Sequence, residues 1–209
     1  MYEAVLWDFD GTLADTLTVG LRIYNRLAQE RGFRPITDPH AVRHMSFREF
    51  TSAHKIGLHR VPSAFAAFIQ ELKAKADSIS LCTGVADCVQ QISSFGLMQA
   101  VVSSNSAETI RRCLQANDVL QHFQTVSGTM KIFGKETRIR KAVKELNVSA
   151  DRALYVGDEL RDIEAARAAD VDVASVTWGL NSADALLKDS PNYLLSEPQE
   201  LAELVTPVA

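Results

Sequence analysis

Asp8-Phe9-Asp10-Gly11-Thr12 closes a short apolar segment that spans residues 4–9. An apolar run that ends in Asp-Gly is typical of a buried parallel strand followed by a tight turn. Because side chains alternate along a strand, the two carboxylates, two residues apart, point toward the same side. Two like charges there need a cation, and Mg²⁺ prefers oxygen ligands and would also neutralise a phosphate. An ordinary Asp-Gly turn remains the alternative for this fragment alone.

Apolar periodicity downstream predicts strands that alternate with helices. The predicted helices cover residues 85–92, 107–116, 136–146 and 162–169, and the predicted strands cover residues 100–102, 153–156 and 173–176. Such alternation is typical of an α/β fold with a doubly wound, Rossmann-like parallel sheet. We therefore expect functional side chains at the carboxyl ends of the strands.

The segment between the first strand and this alternating region has a helical pattern only. Helices are predicted over residues 17–27, 39–45, 46–55 and 62–76, with no strand among them. This pattern predicts an α-helical domain of residues 17–79, inserted into an α/β core of residues 1–16 and 80–209. The aromatic residues of the insertion, Phe47, Phe50, Phe65 and Phe68, are predicted to form its core, and His54 is predicted to be a surface group.

Composition limits the classes of function. The chain has 209 residues, 46% of them hydrophobic, and a formal net charge of -4, which argues against a nucleic-acid-binding protein. Three cysteines without metal-ligand spacing argue against a disulfide framework or a zinc site. No apolar stretch reaches the length of a membrane span. We expect a cytoplasmic protein without a membrane or nucleic-acid partner, either a monomer or a homodimer.

A second acidic cluster follows the strand predicted at residues 153–156. Asp158 comes directly after Gly157, and Asp162 lies one helical turn further on. Asp158 is the better candidate for a metal ligand. Asp162 is a supporting residue that acts through a water molecule or caps the following helix.

Two further segments offer groups that bind anions. Ser103 and Ser104 stand between a strand end and a helix start, where hydroxyls and backbone N–H groups converge on an anion, although such residues can simply cap a helix. Lys135 lies at another helix start, where the helix dipole disfavours a cation unless an anion is near. Lys131 is the competing choice of lysine.

Together these segments resemble the motifs of the haloacid dehalogenase superfamily. The segment from Asp8 to Thr12, then Ser103, Lys135 and the Gly157 to Asp162 segment, occur in the order and spacing of that family. The first motif is similar to that of the phosphoglycolate-phosphatase-like branch, and the resemblance extends from residue 4 to about residue 198. Where many relatives have Lys-Pro in the third motif, this chain has Gly134-Lys135-Glu136.

The resemblance implies a magnesium-dependent phosphatase that acts on a small phosphorylated metabolite, such as a phosphoglycolate-like compound or a sugar phosphate. It implies that Asp8 is the nucleophile, that Asp10 is the general acid and base, and that Lys135 neutralises charge. Asp8, the carbonyl of Asp10, and Asp158 would hold Mg²⁺. Ser103 would bind the phosphate, with Ser104 as the alternative.

The inserted helices resemble the cap domain of this branch, which closes over the site and contacts the leaving group. Arg43, His44 and Arg48 are the candidates for that contact, although each alone could be a solvated surface residue. A phosphoglucomutase-like phosphotransferase shares the same core residues. A catalytically inactive metabolite-binding protein is the other alternative, against which the presence of all the acidic motifs counts.

Overall fold

The fold is built around a six-stranded sheet in which every neighbouring pair of strands is parallel. The structure is a computed structural model that describes residues 1–42, 45, 47–129 and 134–207. The strand order is β3-β2-β1-β4-β5-β6, so the first strand lies in the middle. The strands are β1 Ala4–Trp7, β2 Met98–Ser103, β3 Thr125–Gly128, β4 Ala153–Gly157, β5 Asp172–Val176 and β6 Tyr193–Leu195.

Helices connect the strands and cover both faces of the sheet. The first four described helices after β1 are α1 Thr16–Arg31, α2 Pro39–Val42, α3 Phe47–Ala53 and α4 Val61–Ala74. The others are α5 Val85–Ser94, α6 Ala107–Ala116, α7 Lys135–Glu145, α8 Leu160–Ala168, α9 Ala183–Lys188 and α10 Pro198–Val205. In the part of the chain that the structure describes, no helix combines the length and the apolar character needed to cross a membrane.

The sheet has an apolar layer on each face. Val5 and Trp7 of β1 point into a layer that also contains residues of α5, α6 and α10, whereas Ala4 and Leu6 point into a layer with residues of α7 and α8. This division follows from the alternation of side chains along the strand. Because both faces are covered, the central strands β1 and β4 read as continuous apolar runs, and their acidic residues begin only where these two strands end.

The predicted α/β fold with a parallel sheet is confirmed, and two strands and two helices were missed. β3 and β6 were not predicted, nor were α9 and α10. β3 and β6 are edge strands of four and three residues, and β3 contains Ser127 and Gly128, which carry little strand propensity. Edge strands this short are specified by pairing with their neighbours more than by their own sequence.

The helical segment after β1 begins and ends at defined residues. The carboxylate of Asp15 accepts the N–H of Thr18 at the start of α1, and Gly32 ends the helix in the left-handed conformation. The apolar layer on the Trp7 face continues into this segment through Ile23, Leu27 and Leu72. The division into a core and a domain of residues 17–79 stays a prediction.

In the helical segment from α1 to α4, two predictions about side chains were wrong. His54 is buried rather than exposed, because its ring packs 4.5 Å from the Phe50 ring and its Nδ1 lies 2.8 Å from the Arg34 carbonyl oxygen. Phe65, predicted to belong to the core of the insertion, is 58% exposed. Phe50 and Phe68 are only partly buried.

Candidate active site

The carboxyl ends of the two central strands place two acidic residues side by side. Trp7 of β1 is paired with Val156 of β4, and the backbone N–H of Asp8 donates to the Val156 carbonyl over 2.8 Å. Continuation of this register puts Asp8 beside Gly157 and next to Asp158. Both carboxylates are buried, with exposures of 1% and 0%. The sequence patterns at these strand ends therefore meet in space.

Lys135 joins this cluster from the first position of α7. Its Nζ lies 2.9 Å from Asp8 Oδ2 and also donates to Asp162 Oδ1. Burial disfavours the charged lysine, but the two carboxylates, Asp8 first, outweigh it and hold the pKa of Lys135 well above its usual value. The unfavourable position of a cation at a helix N-terminus is thus compensated by two buried anions.

Asp162 fixes the loop between β4 and α8. Its Oδ2 accepts the backbone N–H groups of Asp158 and Glu159, each over 3.1 Å, and Glu159 completes a capping box with it. Burial is the main cause that raises the pKa of Asp162 to about 6, and the charge of Lys135 opposes this effect. Asp162 is therefore not the N-cap of α8, which is Glu159, but it closes the capping box from the third helical position and also bridges Lys135 to the loop.

Asp158 is held by groups from two other loops. Its Oδ1 accepts the hydroxyl of Thr12 over 2.7 Å, and its Oδ2 accepts the backbone N–H of Leu180 over 2.6 Å. Burial, followed by the charges of Asp162 and Asp8, raises the pKa of Asp158 well above its usual value. A bound cation would oppose this rise, since it favours the ionised carboxylate.

Glycines allow the loops to approach these carboxylates closely. Gly11 has a φ of 77°, and a Cβ there would lie 2.5 Å from Asp158 Oδ2. A Cβ at Gly179 would lie 2.2 Å from the Asp158 Cβ. Neither distance leaves room for a side chain, so the glycine in the Asp8 to Thr12 motif serves the packing of Asp158 as well as the turn.

Asp10 lies at the rim of the cluster. Asn105 Nδ2 donates to Asp10 Oδ1 over 3.0 Å, and the side chain of Thr16 also hydrogen-bonds to this carboxylate. Burial and then the charge of Asp8 raise the pKa of Asp10 to about 6, while the Asn105 and Thr16 hydrogen bonds limit the rise. A carboxyl group with such a pKa can exist in both protonation states near neutral pH.

Ser103 is the last residue of β2, and α6 begins only at Ala107, with Ser106 as its N-cap. The Ser103 hydroxyl is buried and accepts the backbone N–H of Asn105 over 3.1 Å, which directs Asn105 toward Asp10. Ser104 is half-buried in the same turn. Neither serine is a helix cap, so the alternative role considered for them is wrong.

The acidic cluster fits a divalent cation. Oxygen atoms of Asp8, Asp158 and Asp162 lie within 4.8 Å of one another, and all three side chains are buried. Asp8 Oδ1 is buried without a hydrogen-bond partner among the described residues. Three carboxylates against one buried lysine leave an excess of negative charge, for which a hard cation with oxygen ligands is the simplest compensation.

This carboxylate set shares Asp8 and Asp158 with the predicted metal ligands, whose third member is the backbone carbonyl of Asp10. The carboxylate of Asp10 is directed to Asn105, and Asp162 is the third carboxylate of the cluster. Asp10 lies after the strand has turned at Phe9, so the alternation of side chains along a strand does not apply to its carboxylate. The carbonyl of Asp10 as a ligand stays a prediction.

Several groups that sequence reasoning did not single out complete the site. Asn105 follows the two predicted serines directly, and its position at a strand end was a signal that could have found it. Thr12 stands inside the first motif and holds Asp158. The Leu180 N–H comes from a loop without a recognisable motif, although Trp178 anchors that loop by donating to the Thr12 carbonyl over 3.0 Å.

Among the candidates for contact with the leaving group, Arg48 is the one that the described part of the chain includes, and no contact joins it to this cluster. Arg48 is exposed on α3, and its carbonyl oxygen accepts the hydroxyl of Thr51. Arg43, His44 and Lys131 lie outside the described residues. The roles of Arg43 and Arg48 therefore stay predictions.

Comparison with known proteins finds, along most of the chain, the family that its sequence motifs resemble. The sequence model of the haloacid dehalogenase-like hydrolases matches residues 5–176. A protein named phosphoglycolate phosphatase from Synechococcus elongatus is 31% identical over 208 residues, which cover 98% of this chain and 97% of the relative. This chain belongs to the haloacid dehalogenase-like hydrolase family. Within it, this hydrolase lies in the phosphoglycolate-phosphatase-like branch, and its enzyme class is a phosphatase.

More distant relatives of this hydrolase differ in their named activity. A pyrophosphatase, PpaX, from Listeria monocytogenes is 26% identical over 215 residues, with 96% of this chain and 95% of the relative covered. Among solved structures, a haloacid dehalogenase-like family hydrolase from Streptococcus pneumoniae is similar with a TM-score of 0.82 at 20% identity. The similarity covers 97% of this chain and 98% of that one. It supports the fold alone. The family and the carboxylate cluster together indicate a divalent cation.

Proposed function

We propose that this hydrolase is a magnesium-dependent phosphatase that hydrolyses a small phosphorylated metabolite through an aspartyl phosphate on Asp8. The observation that carries the proposal is the environment of the two carboxylate oxygens of Asp8. One of its oxygens, Oδ2, is 2.9 Å from Lys135, whereas Oδ1 is buried without a hydrogen-bond partner among the described residues. A carboxylate that is oriented through one oxygen and unsatisfied at the other suits nucleophilic attack.

In the first step Asp8 Oδ1 would form a bond to phosphorus while the bond from phosphorus to the ester oxygen breaks. The leaving alkoxide would take the proton of Asp10. The pKa of about 6 that burial and the Asp8 charge give to Asp10 supports this role, because a proton is then available near neutral pH. Asn105 and Thr16 would hold the carboxyl group in position through their hydrogen bonds.

In the second step the carboxylate of Asp10 would take a proton from a water molecule, and the resulting hydroxide would attack phosphorus. The bond between phosphorus and Asp8 Oδ1 would then break, which releases inorganic phosphate and restores both aspartates. The phosphoryl group thus passes through two in-line displacements, each of which needs the same proton carrier.

Charge compensation would come from Lys135 and from Mg²⁺ held by Asp8 and Asp158, with Asp162 as supporting residue and the Asp10 carbonyl as a further predicted ligand. When bound, the cation supplies electrostatic stabilisation of the transferring phosphoryl oxygens. Lys135 would do the same from the side of α7. Ser103 and Ser104 remain the proposed phosphate-binding residues, and the turn that they form with Asn105 supports their place next to the phosphoryl group.

The helical insertion would select the substrate, and Arg43 and Arg48 are the proposed contacts to the leaving group. The names of the relatives make phosphoglycolate and pyrophosphate the first compounds to test. A panel of these two, sugar phosphates and p-nitrophenyl phosphate is incubated with the purified chain, and released phosphate is measured. We expect release that requires Mg²⁺ and stops with excess EDTA. Phosphate release that survives complete chelation would exclude a requirement for Mg²⁺. If no compound of the panel releases phosphate, the proposed phosphatase function is excluded.

A further inference from the structure

A cavity of about 550 Å³ lies between the helices of the insertion and reaches the proposed active site. Most of the described lining residues are apolar, and the largest share of these comes from α1, α3 and α4, among them Leu17, Leu21, Tyr24, Phe50, Phe65 and Phe68. Asp10 and Leu180 line it as well. Since Asp10 is the proposed proton donor to the leaving group, the cavity begins where the leaving group of a substrate would emerge.

Several polar groups in the lining already have partners inside the protein. The hydroxyl of Tyr24 donates to the Arg34 carbonyl over 2.9 Å, so the tyrosine presents its ring to the cavity. The hydroxyl of Thr51 donates to the Arg48 carbonyl over 3.0 Å. The side chain of Thr16 hydrogen-bonds to Asp10. These groups therefore have less capacity to replace the hydration of a polar leaving group.

The described lining also holds no arginine, lysine or histidine. A carboxylate or a second phosphate that entered the cavity would lose hydration without gaining a charged partner from these side chains, which is costly. An alkyl or aryl group would instead exchange water for apolar side chains. The volume of the cavity lies within the range of pockets that bind small organic ligands, about 300–1,000 Å³.

We propose that the cavity binds the leaving group of the substrate and that this group is apolar, so the preferred substrate is a phosphate monoester of an alkyl or aryl alcohol. The proposal rests on the proposed phosphatase function and names the substrate class of that same site, and it assigns the contact with the leaving group to the apolar lining in place of Arg43 and Arg48. Continuity of the cavity with Asp10 favours a leaving group over a separate apolar ligand. The phosphoryl group would stay at Asp8, and the ester oxygen would lie next to Asp10.

Binding without turnover tests the proposal directly. Methyl, butyl and hexyl phosphate are titrated by calorimetry into the Asp8→Asn variant in the presence of Mg²⁺, with phosphoglycolate as the polar reference. We expect Kd to fall by up to about fourfold for each added methylene group, since each one transfers apolar surface out of water. A Kd independent of chain length, tighter binding of phosphoglycolate than of butyl phosphate, or no binding of any alkyl phosphate would overturn the proposal.

A matched pair of variants locates the binding in the cavity. Ala64 on α4 lines the cavity, whereas Ala66, on the same helix, is exposed and does not. Ala64→Phe fills part of the volume, so we expect the advantage of hexyl over methyl phosphate in kcat/KM to shrink about tenfold or more, as the loss of two or three buried methylene groups would give. Ala66→Phe should keep the wild-type advantage. Equal effects of the two variants would contradict the assignment, and thermal denaturation checks that both fold.

The outcomes separate this inference from the proposed function. If wild-type enzyme releases phosphate but prefers phosphoglycolate or a sugar phosphate, the phosphatase function stands and the apolar substrate class is wrong. If no ester is hydrolysed, the phosphatase function fails, and the Kd series with alkyl phosphates still decides whether the cavity binds apolar groups.

Discussion

The cluster at the strand ends and the helical insertion differ in how completely their side chains are held. In the cluster, Asp158 and Asp162 are fully buried, Lys135 is 4% exposed, and each has named partners. In the insertion, Phe65 is 58% exposed and Leu58 is 73% exposed. A phosphoryl group is the same in every monoester, so residues that handle it can be fixed. Leaving groups vary, and the insertion retains unfilled apolar space.

The largest effect is expected for Asp8→Asn, which keeps the size of the side chain and removes the nucleophile. Turnover of every phosphate ester should fall by about 1,000-fold or more, as is typical when a nucleophile is removed. Steady-state phosphate release measures the change, and circular dichroism checks the fold. Activity near the wild-type level with unchanged dependence on Mg²⁺ would exclude covalent catalysis by Asp8.

Lys135→Met should affect both rate and stability, because it leaves Asp8 and Asp162 without their buried cation. We expect kcat/KM to fall by about 100-fold or more on all substrates. In metal-free buffer the free energy of unfolding should fall by about 3 kcal/mol. The matched control is Lys141→Met on the same helix, where the lysine side chain is 71% exposed and pairs with Glu145 over 3.5 Å. Denaturant unfolding of both variants measures the difference, and similar values for both would show that the buried pair contributes little.

A comparison of Gly11→Ala with Gly96→Ala separates the effect of backbone strain from the effect of displacing Asp158. Gly11 and Gly96 have φ values of 77° and 79°, so alanine costs each position about 1 kcal/mol of strain. The new Cβ would meet Asp158 at Gly11, whereas no atom of the described residues lies within 4 Å of a Cβ at Gly96. We expect Gly11→Ala to lower kcat/KM about tenfold and to weaken Mg²⁺ activation, and Gly96→Ala to change neither. Equal activity of the two variants would show that Asp158 need not occupy its observed position.

The smallest effect is expected in the insertion, for Arg48→Ala. Arg48 is exposed on α3, so its removal should leave the core intact. If it contacts a leaving group, kcat/KM for the best metabolite should fall by no more than about tenfold, while p-nitrophenyl phosphate is unaffected. Equal losses of kcat/KM on both substrates would show that Arg48 does not select the substrate. They would also weaken the contrast between the cluster at the strand ends, which handles every phosphoryl group, and the helical insertion, which handles the leaving group.

The sequence predicted Asp8 and Asp158 well because each lies where an apolar run stops. The two meet in the structure, since strands of a parallel sheet end at one edge, and Lys135 and Asp162 join them from the first turns of α7 and α8. Their partners were harder to predict. The N–H of Leu180 and the hydroxyl of Thr12 reach Asp158 through loops whose course depends on tertiary packing. Local sequence patterns carry no information about such long-range contacts.

The insertion was predicted at the level of its helices but not of its packing. Helical periodicity identified the apolar faces, including those of Phe65 and Phe68, yet it could not show that these faces leave a cavity. Periodicity indicates which residues share a face, whereas the volume between faces depends on the positions of whole helices. His54 illustrates the same limit, because its burial depends on Arg34 and Phe50.

Trapping of the phosphorylated enzyme measures the role of Asp8 most directly. The Asp10→Asn variant is mixed with Mg²⁺ and p-nitrophenyl phosphate, whose leaving group needs no proton, and is quenched with acid. Because the amide side chain of this variant cannot activate water, the phosphoenzyme should accumulate, and peptide mass mapping should place one phosphoryl group on Asp8. Release of p-nitrophenol without protein phosphorylation, or a phosphoryl group on any other residue, would contradict the mechanism.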